Sequence, residues 1–357
     1  MTNRLSTVGV VALLALVPGL RAARFDAPPP ASRQVNRQYL VEHMRVAAAD
    51  RLIEQDDEIA AYLAAQFNTI VLYDIEDGGL PKSEERIAYE TSFARAHGLH
   101  ILLGKPTEVQ SGAEGKRRLR SLAAANEAAV SDDEIRERLS LWNLYGHDLI
   151  IGVFFVHDDV FLIHTGVERQ RHLYALAHDV VPDWSVFGII GEFGFDATDD
   201  DVARYFDPSA FDHLFILMYP LNIGYLTGVQ LDSTTSADPD DDMHRYVQRY
   251  VARMGEKFIS HLQPGQLAIL VDQSFAYVAE PAGHIPRPSD IMIEATLGND
   301  LVRSIAGQER NHSLAYFLWD GSRAGMFGLW QRQDWITTAE QVNRFEEFRG
   351  GEIGFNP

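Results

Sequence analysis

Carboxylates in this chain stand at the ends of apolar runs. Asp158 and Asp159 close DLIIGVFFVHDD (148–159), Glu192 falls at the end of SVFGIIGEF (185–193), and Asp272 at the end of QLAILVDQ (266–273). Cleavage of a glycosidic bond asks for two carboxyl groups, one protonated to assist the leaving group, one ionised as base or nucleophile. A separation of about 5 Å leads to retention and roughly 6.5–9.5 Å to inversion. Neighbouring strands, about 4.8 Å apart, can supply either spacing. Asp158 or Asp159 with Glu192 is such a pair, and Asp272 is a second partner on a later strand. Other polar or aromatic residues end apolar runs as well: His43, Asp74, Lys105, His157, Tyr219, Gln273, Trp319 and Asp320. These would hold sugar hydroxyls or stack on ring faces, with Phe193 and Trp330 as further aromatic candidates.

A sheet must position these side chains. Strong apolar runs at 69–77, 148–159, 185–193, 213–220, 266–273 and 313–321 are joined by weaker ones at 38–44 and 100–106. Runs of this kind read as parallel strands buried on both faces. Helical patterns lie between them. Ile59, Leu63 and Phe67 share a face of 56–67, and Ser83 caps a stretch whose first turn carries Glu84 and Glu85 and which stops at Gly98. Further helices are expected over 116–129, 132–144, 166–180, 243–262, 289–306 and 337–348. Strand and helix alternating eight times, with right-handed crossovers, make an α/β fold, a (β/α)8 TIM barrel forming a single domain over 34–357. An open doubly wound sheet fits less well, because no glycine-rich phosphate loop follows a strand. Barrels bind ligands at the carboxyl ends of their strands. Carboxylates gathered on that mouth repel one another unless a substrate, metal or proton relieves them, which marks the mouth as a candidate active site.

Composition narrows the partners. The formal charge of −20 argues against nucleic acid and anionic membranes and leaves neutral or cationic ligands, or simple solubility, as its reading. Cysteine is absent, so no disulfide framework, thiolate metal site or cysteine nucleophile is expected, and no cofactor motif appears. Residues 1–23, with Arg4, an apolar stretch from Val8 to Leu20 and Ala22-Ala23, read as a secretory signal too short to span a bilayer comfortably. A proline-rich linker over 24–33 follows, so the expected location is secreted or periplasmic, free of the membrane after cleavage. The acidic stretches Asp196–Asp201 and Asp238–Asp242 lack the spacing of a calcium loop and read as solvated loops or helix caps.

The segment LIIGVFFVHDDVFLIHTGVERQRHLYALAHDVVPDWSVFGII (149–190) resembles glycoside-hydrolase-like barrels, in which strand four ends in Asp-Glu-Pro and a helix with a tyrosine follows. FDHLFILMYPLNIG (211–224) is similar to their strand six, which ends in Tyr-Pro, while FNTIVLYD (67–74) and ARAHGLHILLG (94–104) match their second and third strands. The resemblance implies a barrel hydrolase acting on a glycan or glycoside. Aligned on His157-Asp158-Asp159, it puts Asp159 at the place of the general acid, and Tyr219-Pro220 inherits a substrate-lining role; the strand-end carboxylates then make Glu192 the nucleophile or base, with Asp158 and Asp272 as substitutes. The chain departs from the pattern where Asp159 replaces the glutamate and Val160 the proline, and Pro182-Asp183, inverted in order, reads as a turn. The shortened acid motivates one alternative, a non-catalytic carbohydrate-binding barrel. The other is a metal-dependent phosphodiesterase-type hydrolase using His43, Asp74, Glu76 and His157 or Asp158 as ligands.

Overall fold

The computed structural model describes residues 37–48, 64, 66–74, 81–104, 131–155, 160, 165–220, 238–277, 285–317, 326–329 and 332–351. Eight parallel strands close into a barrel: β1 (Arg45–Ala48), β2 (Thr69–Tyr73), β3 (His100–Gly104), β4 (Ile150–Phe154), β5 (Ser185–Ile190), β6 (His213–Met218), β7 (Ala268–Gln273) and β9 (Leu314–Phe317). Strand β9 pairs with both β7 and β1, which removes the sheet edges. A separate antiparallel pair joins β8 (Phe275–Tyr277), which follows β7, with β10 (Met326–Gly328), which follows β9 in sequence. The barrel and its helices belong to one unit, Asn36–Pro357.

The helices start where their sequences cap them. In α2 (Glu84–Ala96) the Ser83 hydroxyl accepts from the Arg86 amide at 3.2 Å, and Gly98 beyond its end adopts φ 66°. In α3 (Asp132–Gly146) Ser131 and Glu134 make a reciprocal capping box. Helix α4 (Val167–Val180) follows β4, and a short α5 (Glu192–Phe195) follows β5. Thr198 and Asp201 form a second capping box on α6 (Asp199–Tyr205), and Asp238 caps α7 (Pro239–Lys257). Both acidic stretches are therefore helix N-termini, where carboxylates offset the positive end of the helix dipole. A helix over 288–306 carries one π-turn, Glu294–Gly298, between α8 (Pro288–Ile293) and α9 (Asn299–Ala306); α10 (Gln333–Gly351) ends the described chain.

Alternation along each strand divides the core in two. Val71, Leu102, Phe187, Phe215 and Ile269 fill the barrel interior. Ile70, Leu72, Leu214, Leu270 and Tyr316 face outward, onto helix residues such as Trp142, Tyr250 and Trp335. One close approach fixes the β4–β5 edge. A Cβ on Gly152 would stand 2.5 Å from the Ser185 carbonyl oxygen and 2.5 Å from the Phe187 ring. Backbone cannot yield there as a flexible side chain can, so Gly152→Ala is expected to cost about 1–3 kcal/mol as overpacking. A urea midpoint equal to that of the native protein would show that the edge relaxes instead.

The first strand differs from the sequence expectation. Residues 38–44 are not β1; they belong to helix α1 (Arg37–Glu42) and the turn after it. Val41 and Met44, both essentially inaccessible, plug the amino-terminal end of the barrel against Leu267. The His312 amide donates to Glu42 O at 2.7 Å, and the Ser313 hydroxyl donates to Val41 O, fastening this plug to the start of β9. Leu40, Val41 and Met44 have helical spacing. The true β1, Arg-Val-Ala-Ala, is too short and too weakly apolar to stand out.

Candidate active site

The carboxyl ends of the strands form the mouth of the barrel. Strand alternation decides which residues there reach its interior. On β7, Val271 and Gln273 point inward, whereas Asp272 points outward with Leu270. Asp272 is in register with Met218 of β6 and Tyr316 of β9, both in the outer core. It is fully buried, neither carboxylate oxygen has a hydrogen-bond partner, and burial holds its pKa well above the ordinary carboxylate value. Asp272 is therefore buried in the wall and turned away from the mouth, not the second catalytic partner expected from the sequence. Gln273, also fully buried, lies in register with Phe317, and its backbone amide donates to Glu294 Oε2 of the π-turn at 2.9 Å.

Asp74 requires the same correction. It follows Tyr73 with the outward parity of Leu72, and its carboxylate is 2.7 Å from Arg138 Nε and 2.8 Å from Trp142 Nε1, both on α3. Burial pushes its pKa up, while the Arg138 and Trp142 hydrogen bonds pull it down. With its oxygens committed to α3, Asp74 holds no substrate. His43 lies at the opposite end of the barrel, before β1, where its Nδ1 is 3.0 Å from Tyr39 O and its ring stacks on Tyr39 at 4.2 Å. A metal centre built from His43 and Asp74 would have to bridge the two ends of the barrel, which removes that ligand set. Among the described residues no group of three His, Asp or Glu side chains is placed to hold a metal ion.

Tyr219, by contrast, lies at the mouth of the barrel. It follows β6 in line with Gln273, is 8% exposed, and its ring stacks on Phe317 of β9 at 5.8 Å. Tyr73 and Phe154 meet edge to face at 5.9 Å across the same mouth. These rings and the aliphatic residues below them border a cavity of about 100 Å3. Its wall among the described residues is apolar apart from the tyrosine hydroxyls. Sequence reasoning missed Tyr73, Phe154 and Phe317 because it sought polar groups at strand ends.

Of the preferred catalytic pair only the surroundings are described, at the β4–β5 edge. Glu192, described by its backbone, opens α5 two residues after β5 ends. Val160, next in the chain after Asp159, is buried, and its amide donates to Ile189 O of β5 at 3.3 Å. Lys105, His157, Asp158, Asp159, Trp319, Asp320 and Trp330 lie outside the described residues, as do the signal and linker segments and the helix expected over 116–129.

No family model and no curated protein matches the sequence. The fold, however, has solved counterparts. The chain is similar to a GH5_18 structure from Streptomyces cattleya in complex with GlcNAc, 12% identical over 85% of this chain and 80% of that one, with a TM-score of 0.54. It is also similar to the endo-1,4-β-mannanase from Rhizomucor miehei, 10% identical over 86% and 95% of the two chains, at 0.50. The endo-β-1,4-mannanase from Thermotoga petrophila is 10% identical over 89% and 80%, at 0.51. At such identities the likeness is one of fold: the chain is a (β/α)8 barrel.

Proposed function

We propose that this protein is a hydrolase that cleaves a glycosidic bond in a glycan or glycoside by carboxylate chemistry, with Asp159 as general acid and Glu192 as nucleophile or base. The observation that carries the reading is the Val160–Ile189 hydrogen bond of 3.3 Å. It fastens the chain immediately after Asp159 to the strand whose end delivers Glu192. Two acids on one strand edge are what the reaction needs, and neighbouring strands set the right order of separation. The barrel likeness to two mannanases and a GlcNAc complex supports a carbohydrate ligand. Asp158 remains the substitute acid; Lys105, His157, Tyr219, Trp319 and Asp320 complete the substrate contacts. Export through residues 1–23 is part of the same proposal and would place the enzyme outside the cytoplasm.

The test is turnover on a panel of mannans, xylans, glucans and chitin oligosaccharides. Asp159→Asn and Glu192→Gln, each nearly isosteric, are expected to lower kcat/KM on the order of a hundredfold or more while leaving the thermal midpoint within a degree or two. Unaltered turnover in both variants removes the assignment.

A further inference from the structure

The cavity at the mouth has a chemistry that a sugar ring does not fit. Four rings stand over it, Tyr73, Phe154, Tyr219 and Phe317, and beneath them lie Val271 and Ala315. Among the described residues its wall offers no carboxylate: Asp74 and Asp272, the acids at the ends of β2 and β7, both point away from it. A pyranose seated there would bring hydroxyls against carbon on most sides, with the phenol groups of the lining tyrosines to satisfy them, and an unpaired buried hydroxyl is unfavourable. An apolar group loses nothing by entering. At about 100 Å3 the space matches a single six-membered ring or a short branched alkyl group. Stacked and edge-on aromatic walls favour an aromatic guest over an alkyl one.

We infer that the floor of the mouth binds the aglycone of the substrate, and that this aglycone is aryl. The inference rests on the proposed glycosidase reading and narrows its substrate class from glycans at large to glycosides of phenolic or benzylic alcohols. The sugar would then sit above the aromatic layer, beside the β4–β5 edge to which the proposed reading assigns Asp159 and Glu192, with its apolar substituent directed down the barrel axis.

The probe is phenol, titrated into the full-length protein by calorimetry and ligand-observed NMR, alongside kinetics on p-nitrophenyl and methyl glycosides of mannose, glucose, xylose and N-acetylglucosamine. Phenol is expected to bind saturably, and p-nitrophenyl glycosides to show KM values at least tenfold below those of their methyl counterparts. Ala315→Leu fills the cavity from β9; Leu217→Phe fills it from β6 at a half-buried site that tolerates added bulk more readily. In whichever variant keeps its native circular dichroism, phenol binding should vanish and the aryl advantage fall below twofold. Phenol that fails to bind, or binds the filled variants equally, overturns the inference. Turnover of both glycoside series with no aryl preference also overturns it while leaving the glycosidase reading intact. Saturable phenol binding, lost on filling, with no glycoside turned over keeps the apolar site and defeats the glycosidase reading instead.

Discussion

Asp74→Ala is expected to lower the stability of the barrel by about 3–5 kcal/mol, the usual cost of removing one partner from a buried ion pair. The carboxylate is 1% exposed and the Arg138 side chain 16%, so solvent screens the pair little. Arg138 would retain one acceptor, the Lys82 carbonyl at 2.7 Å, and keep a charge with no counterion on that side. Trp142, with no exposed surface, would lose the acceptor for its indole N–H. The damage would spread. Lys82 is itself 2.8 Å from Glu90, whose other oxygen takes Arg86 Nε at 2.6 Å, so the chain before α2, α2 itself and α3 share one network. Asp74→Asn keeps the tryptophan acceptor but not the charge, and should fall between alanine and the native residue. Urea denaturation followed by far-ultraviolet dichroism measures the loss. If Asp74→Ala unfolds within about 1 kcal/mol of the native protein yet binds substrate poorly, Asp74 belongs to the active site after all.

Asp74 also shows where sequence reading succeeds and where it stops. Seven of the eight barrel strands are visible as apolar runs, because a parallel strand covered on both faces must be apolar almost throughout. That same property hides direction. A run such as Ala268-Ile269-Leu270-Val271 carries no alternation of polarity, so nothing in its composition says that Asp272 faces helices while Gln273 faces the barrel axis. Parity counted from a known inward residue would have said so, but the inward residue was not known. The first strand failed for a different reason. Its four residues compete with a neighbouring helix that is more apolar and plugs the barrel, and a plug needs the same residue types as a strand. One cap was more legible: Ser83 bonds the Arg86 amide, as its position in the sequence indicated. The π-turn at Glu294–Gly298 and the β8–β10 pair left no signal in periodicity, since both arise from contacts made after the barrel closes.

Buried ionisable groups also give the barrel a pH dependence whose sign follows from the structure. His213, at the start of β6, is 4% exposed, packs near Phe187, and accepts the Leu267 amide on Nδ1 at 3.2 Å. Burial drives its pKa down to about 4, against a weaker upward pull from Asp212. The folded state therefore holds the imidazole neutral, whereas the unfolded chain protonates it near pH 6.5. Its contribution is complete above pH 6.5 and falls as the pH drops towards 4, where the unfolded state binds the extra proton. At about 1.4 kcal/mol per unit, the loss by pH 4 is about 3 kcal/mol. Asp272 acts in the opposite sense. Its raised pKa favours the folded state below the ordinary carboxylate value, and that contribution is lost as the pH rises. The native pH profile mixes the two, so the informative quantity is a difference between variants. His213→Asn places an amide oxygen where Nδ1 accepts the Leu267 N–H and cannot titrate. Its stability at pH 7 should drop modestly for lost packing. Between pH 7 and pH 4 it should then lose about 3 kcal/mol less than the native protein, with the Asp272 contribution cancelling between the two. Parallel profiles would mean that the imidazole is protonated in the folded barrel, and that the Leu267 amide is not its donor.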